Sequence, residues 1–246
     1  MANQRTIAVV QSRMTSSRLP GKALITIGGR PAIEQLLRRL QAVPEIDEII
    51  VATTTNAEDD VLVDYLNGTG VWVSRGSESD VLGRVAHAIS GIECEYVVKV
   101  TADCPVLDPK IASSVIAVAH SSEFDFVSNG IVRSFPDGMD CAVVRKGAFL
   151  QSAIDAVDPL EREHTSLHIR RNPNVYSQHN VHAPPDLYWP ELGLTLDTVE
   201  DHALIESIFN ALGPDRLFSC TEMVGLFRAK PELLKLNAHV VRKGDT

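Results

Sequence analysis

Short apolar runs rich in valine and isoleucine recur along the first part of this chain, at residues 7–10, 46–52, 71–74 and 96–101. Strands that are apolar throughout, and do not alternate with polar residues, are buried on both faces, as in a parallel sheet covered by helices. The segments between them have helical spacing. In residues 31–40, Ile33, Leu36, Leu37 and Leu40 share a face. Asn56 is placed to cap a second helix, with Asp59 at its third position and Val61, Leu62, Tyr65 and Leu66 inward. Asp80 is placed to cap a third, with Val81, Leu82, Val85 and Ile89 inward. Alternation about every 25 residues predicts βαβ units and a mainly parallel α/β sheet.

Beyond residue 120 the alternation loosens. Strands are expected at 124–128 and 141–145 around a Pro136-Asp137-Gly138 turn, helices at about 147–157 and 160–171, and an extended segment at 175–182 before Pro184-Pro185. The expectation is one domain over residues 1–246. About 125–190 would form a small lobe over the sheet or a dimer contact, and about 213–246 a C-terminal helical extension.

With 44% hydrophobic residues the chain can bury a substantial core, which excludes disorder. No apolar run reaches the ~18 residues of a membrane span and the N-terminus lacks a signal-peptide core, so a cytoplasmic location is expected. Cys94, Cys104, Cys141 and Cys220 are far apart without a C-x-x-C pair, arguing against a disulfide framework or zinc site. A formal charge of −9 argues against a nucleic-acid-binding surface. An anionic ligand must be drawn by a local cluster of cations.

Such a cluster follows the first strand: Gln11-Ser12-Arg13-Met-Thr-Ser-Ser-Arg18-Leu-Pro-Gly-Lys22. Ligands of open parallel sheets bind outside the carboxyl ends of the strands. There, backbone N–H groups freed by glycine and small residues can cradle phosphate. Arg13 and Lys22 add mobile positive charge. The spacing is neither a Walker A loop nor a G-x-G-x-x-G fingerprint. Two aspartates are placed to reach the same rim. Asp103 stands just beyond the strand at 96–101, and Asp197 follows Leu194-Thr-Leu196, read as a later strand. A hard divalent cation such as Mg²⁺ uses one or two carboxylates completed by water and phosphate oxygens, which this pair offers. Asp103 alone also suits a turn; its recurrence at Asp197 favours metal. Asp201, three residues after Thr198, reads as a helix cap, as does Asp108 before Pro109. Cys104 reads as a buried residue beside the site.

The series Ser12-Arg13, Ser17-Arg18-Leu-Pro-Gly-Lys22, Val100-Thr-Ala-Asp103-Cys-Pro105 and Leu196-Asp197-Thr198-Val-Glu200-Asp201 resembles the cytidylyltransferases that activate acidic sugars, most closely the SpsF-like branch. Arg75-Gly-Ser-Glu-Ser-Asp80-Val-Leu-Gly-Arg84, Val127-Ser-Asn129, Pro136-Asp-Gly-Met-Asp140 and Arg162-Glu163-His164 add to the likeness, which spans about residues 5–210. The resemblance implies a Rossmann-like sheet of nucleotide-diphospho-sugar transferase type, a homodimer, and CMP transfer from CTP to a small acidic acceptor with Mg²⁺. It puts phosphates on Arg13 and Lys22 and the base near Gln11 and Ser12, with Arg18, Arg75, Asp80 and Arg84 on the nucleotide side. Asp103 and Asp197 would hold the metal, and Asn129, Asp140, Glu163 and His164 the acceptor. Asp140 and His164 are the candidate bases, and His164 equally suits a packed position on a helix.

The chain departs from that pattern at four positions. Gly83 stands where relatives carry aspartate, Ala142 where glutamate is common, Gly193 where arginine often precedes the Thr-x-Asp segment, and Val199 where proline is usual. The acceptor is therefore open between a sugar acid and a phosphorylated compound. A nucleotide-sugar glycosyltransferase or a non-catalytic nucleotide-binding protein would be the rival classes.

Overall fold

A computed structural model describes residues 4–242. In chain order it comprises β1 (Thr6–Gln11), β2 (Thr26–Ile27), β3 (Arg30–Pro31), α1 (Ala32–Gln41), β4 (Glu48–Thr54), α2 (Asp60–Leu66), β5 (Trp72–Gly76), α3 (Val81–Ser90), β6 (Tyr96–Thr101), α4 (Pro109–His120), β7 (Phe126–Ser128) and β8 (Ala142–Arg145). There follow α5 (Lys146–Asp155), α6 (Pro159–Glu163), α7 (Leu167–Arg171), β9 (Gln178–Asn180), α8 (Val199–Leu212) and α9 (Cys220–Ala229), then a 3₁₀ turn, Pro231–Leu236. Seven strands form one sheet in the order β5-β4-β1-β6-β8-β7-β9, and β2 and β3 pair separately. Only β8 runs antiparallel to its neighbours, so the sheet is mostly parallel and Rossmann-like.

Alternation along β1 explains the layers. Ala8 and Val10 pack with Ile33, Leu36, Leu37 and Leu40 of α1 and Val115 and Ile116 of α4. Ile7 and Val9 face Leu82, Val85 and Ile89 of α3 and Phe149 of α5. A third cluster joins α8 and α9 to Leu19, Val106, Leu194 and Leu196, beneath the loops at one end of the sheet. β1 lies between β4 and β6, and the chain winds away from it in opposite directions. That reversal opens a crevice at the carboxyl ends of β1 and β6, the switch point at which such sheets bind ligands.

Several expectations need correction. Leu194–Leu196 is not a sheet strand: Leu194 N–H donates to Asp137 O at 2.8 Å and Leu196 N–H to Asp103 O at 2.8 Å, so loops take the bonds a strand would have used. The helix expected at 160–171 is broken after Glu163, because Thr165 and Ser166 bond the sheet residues Gln11 and Lys99 and do not continue the helix. Val61 is 53% exposed, leaving Leu62 and Leu66 as the buried face of α2. Asn56 makes no cap bond and reaches Glu78. The strands within 125–190 extend the main sheet. The C-terminal region is helical only through Leu236, continuing as a strap to residue 242; residues 243–246 lie outside those described.

Candidate active site

The loop after β1 is folded by its own sequence. Pro20 and Gly21 form a turn closed by Lys22 N–H on Leu19 O at 3.2 Å. Gly21 takes φ 73°, which a type II turn requires at its third position. The same turn sends Gly21 N–H to Met14 O at 2.8 Å. Two carboxylates tether the loop to the sheet. The fully buried Asp59 accepts from Met14 N–H at 2.6 Å, Thr53 Oγ1 at 2.9 Å and Thr54 N–H at 2.9 Å. Glu78 accepts from Thr15 Oγ1 at 2.7 Å and Asn56 Nδ2 at 2.7 Å, with Arg13 at 3.4 Å.

The turn delivers Lys22 between the two aspartates. Its Nζ lies 3.1 Å from Asp103 Oδ2 and 2.9 Å from Asp197 Oδ1, while Arg18 reaches Asp197 Oδ2 at 3.0 Å. Burial opposes charge on Lys22 and on Asp103. Yet the paired aspartates outweigh it and raise the Lys22 pKa. Around Asp103 the Lys22 ammonium and the Thr101 hydroxyl outweigh it in the same way, lowering the carboxyl below its usual value. Cys104, 2% exposed, is pushed well above the ordinary thiol range by burial and by Asp103, so it is a packing thiol and not a nucleophile.

A cavity of about 350 Å³ opens beside this triad. Gln11, Arg18, Asp103, Asp140, Glu163, His164 and Asp197 are among the residues that line it. His164 terminates α6, exposed toward the cavity and not packed within a helix. Asp140 sits beside Asp137. Burial pushes its carboxyl up to about 7, Asp137 adds to the rise, and Arg133, 3.7 Å away, opposes it. At the cavity floor Lys99, 7% exposed, bonds the Ser166 hydroxyl.

Other sequence-derived candidates stand behind the wall. The Asn129 amide is consumed by backbone, donating to Met139 O at 2.7 Å and accepting from Cys141 N–H at 2.8 Å, so it shapes the Asp140 turn and does not face the cavity. Arg75 braces the end of β4, donating to Thr54 O at 2.8 Å and Asn56 O at 2.9 Å and pairing with Asp60 at 2.7 Å. Arg84 holds the carbonyl of Ser77, preceding Glu78. Asp80 caps α3 through Gly83 N–H at 2.8 Å and pairs with Arg162. A Cβ at Gly83 would fall 2.2 Å from Asp80 Oδ2, so that pair accounts for the glycine. Ser12 Oγ is buried and has no hydrogen-bond partner among the described residues, and Ser12 does not line the cavity.

A family profile described as cytidylyltransferase matches residues 7–206. The chain belongs to the cytidylyltransferase family. It is 29% identical over 232 residues to the spore coat polysaccharide biosynthesis protein SpsF of Bacillus subtilis, covering 91% of this chain and 94% of SpsF. It is 32% identical over 112 residues to 3-deoxy-manno-octulosonate cytidylyltransferase of Geobacter sulfurreducens, covering 45% of this chain and 43% of that protein. The fold superposes with a TM-score of 0.89 on a cytidylyltransferase from Leptospira borgpetersenii, at 24% identity over 98% of this chain and all of the other. This cytidylyltransferase is thus of the SpsF-like kind.

Among its described residues no three His, Cys, Asp or Glu side chains cluster as a metal cage. The donor set nevertheless fits Mg²⁺, which characteristically binds through one or two carboxylates and substrate phosphates. Asp103 and Asp197 already converge on one cationic nitrogen. No helix of the described residues is long and apolar enough to cross a membrane.

Proposed function

We propose that this cytidylyltransferase transfers CMP from CTP to an acidic sugar and releases pyrophosphate, serving polysaccharide or glycoconjugate precursor synthesis. The observation that carries the reading is the meeting of Lys22 with Asp103 and Asp197, two carboxylates that line the cavity. Asp103 and Asp197 would hold Mg²⁺, which would supply charge neutralisation at the reacting phosphoryl group. Arg13, Arg18 and Lys22 bind the triphosphate, and Gln11 and Ser12 lie where the base enters beside β1. The acceptor hydroxyl attacks the α-phosphorus in line with the departing pyrophosphate; the new O–P bond forms as the bond to pyrophosphate breaks. Catalysis is chiefly positioning and charge stabilisation. Asp140, with its pKa near neutrality, is suited to take the acceptor proton.

Support for a sugar acid comes from the likeness to the Geobacter enzyme, whose name specifies 3-deoxy-manno-octulosonate. Arg133, Arg170 and Arg242 on the cavity wall suit an anionic acceptor. A homodimer and a cytoplasmic location belong to the same proposal. A thermal-shift panel of CTP, UTP, ATP and GTP with Mg²⁺ tests the nucleotide: at 100 times its dissociation constant a ligand stabilises the fold by about 2.7 kcal/mol. Selective stabilisation by CTP is expected, and an equal response to all four would refute the reading.

A further inference from the structure

The glycine at 193 marks an arginine supplied from elsewhere in the chain. A Cβ built there would fall 1.9 Å from Cζ, Nε and one terminal nitrogen of Arg242, so this guanidinium fills the space a side chain at 193 would take. The strap after the 3₁₀ turn brings it there. Asn237 Nδ2 donates to Gly193 O at 3.0 Å and to Asp201 Oδ1 at 2.8 Å. Arg242 then donates to Asp201 Oδ1 at 2.9 Å and to Thr195 Oγ1 at 2.6 Å. Asp201 is fully buried, and its other oxygen accepts from Asp197 N–H at 3.2 Å, so the strap docks on the residue that holds the Asp197 loop.

These bonds aim the guanidinium at a ligand as well as fixing it. Arg242 lines the same cavity as Asp140 and Asp197, with its side chain 22% exposed. A guanidinium has five N–H donors, and the bonds to Thr195 and Asp201 engage two of them. Asp137, the nearby carboxylate, is drawn to Arg133 at 2.7 Å and stays 3.7 Å from Arg242. Nη1 and Nη2 each keep one N–H beyond these bonds, while Nε faces Asp137, so the guanidinium, held by a buried carboxylate at a cavity edge, retains donors for an incoming carboxylate.

We propose that Arg242 is a specificity-determining residue that binds the carboxylate of the acceptor, so that the C-terminal strap reads the acceptor while the first loop reads the nucleotide. This inference rests on the transferase reading given above. Isothermal titration of 3-deoxy-manno-octulosonate and, separately, of CTP with Mg²⁺ into wild type, Arg242→Ala, Arg242→Lys and Gly193→Ala tests it. Losing one charge-assisted contact should weaken sugar-acid binding roughly 10- to 100-fold in Arg242→Ala, with CTP affinity unchanged within about twofold. Arg242→Lys should fall between, because it keeps charge without the guanidinium. Gly193→Ala should act in the same direction without altering residue 242 itself, since its methyl group would force the guanidinium out of its position.

Wild-type sugar-acid affinity in both alanine variants would overturn the proposal. So would parallel losses of CTP and sugar acid, which would mark a purely structural strap acting through Asp201 and Asp197. A wild type that binds CTP but prefers a sugar 1-phosphate to the sugar acid would overturn the carboxylate assignment while sparing the transferase. Failure of the wild type to bind CTP would reject the transferase reading itself, and this inference with it.

Discussion

Replacing Lys22 by alanine is the perturbation whose consequences can be worked furthest. In the folded protein Asp103 and Asp197 touch one ammonium at 3.1 and 2.9 Å, so their contacting oxygens are no more than about 6 Å apart. All three side chains are mostly buried, at 16% exposure for Lys22, 25% for Asp103 and 19% for Asp197. Without the lysine two like charges face each other, and at an effective dielectric of about 20 their repulsion is about 3 kcal/mol. Arg18 still pairs with Asp197 at 3.0 Å, so the charge left without a cationic partner is that of Asp103, and leaving one buried charge uncompensated costs ~3–5 kcal/mol. For a domain of this size it corresponds to a fall in Tm of about 6–12 °C near neutral pH.

The sign with pH is the sharper test. In the wild type the depressed Asp103 pKa contributes stability present above the ordinary carboxyl value and lost as pH falls through its folded value. The raised Lys22 pKa contributes stability fully present below 10.5 and lost as pH rises through the folded value. In Lys22→Ala, burial and Asp197 would instead raise the Asp103 pKa, so the variant should lose stability as pH rises from about 4 to 7. Differential scanning fluorimetry at pH 4.5 and 7.5 should therefore show a small deficit at the lower pH and the full deficit at the higher. Turnover, followed by pyrophosphate release, should drop about 10²–10³-fold with the lost leaving-group stabilisation. An equal Tm deficit at both pH values, or turnover close to wild type, would refute the reasoning.

Three further outcomes are expected. Asp103→Asn keeps the side-chain shape but removes its charge, so it should abolish Mg²⁺-dependent turnover with an unchanged circular dichroism spectrum; a Mg²⁺ titration like the parent's would dismiss Asp103 as a ligand. If Asp140 accepts the acceptor proton, kcat/KM for the acceptor should rise with pH through about 7, and Asp140→Asn should flatten that rise. Gly138→Ala should destabilise the fold by ~1–3 kcal/mol in urea titration, because φ is 98° and the new Cβ would sit 2.8 Å from the Leu194 carbonyl; an unchanged midpoint would show that the turn can rearrange freely.

What could be read in the sequence was what chain-local physics determines. β6 matches the expected run at 96–101 because its residues are apolar on both faces, and Asp103 follows it by only two positions. The Pro-Gly turn carried its own geometry, so Lys22 could be placed near the rim. Asp197 was found although its segment is not a strand, since the apolar Leu194 and Leu196 bury in any extended form. Contacts between distant segments left no local trace. Arg242 lies 47 residues beyond Thr195 in a polar tail without periodicity. Asp201 was legible as a cap, and its capping box with Thr198 is present; its bonds to Asn237 and Arg242 were not legible. Glu78 and Asp59 tether the first loop through partners more than 40 residues away. Asn129 shows that a motif residue can be spent on backbone, because side-chain direction is set by packing. Lys99 did leave a signal: a lone lysine inside Val97-Val98-Lys99-Val100 has to meet something buried, and it meets Ser166 at the cavity floor.

The most direct test of the account is pyrophosphate release from CTP and Mg²⁺ by the purified protein, with 3-deoxy-manno-octulosonate as acceptor and the CMP conjugate identified by mass spectrometry. The account predicts one pyrophosphate per conjugate, formed only when both substrates are present and lost in Asp103→Asn and Asp197→Asn. Conjugate formation that survives in those variants would contradict it, as would pyrophosphate formed from CTP without any acceptor.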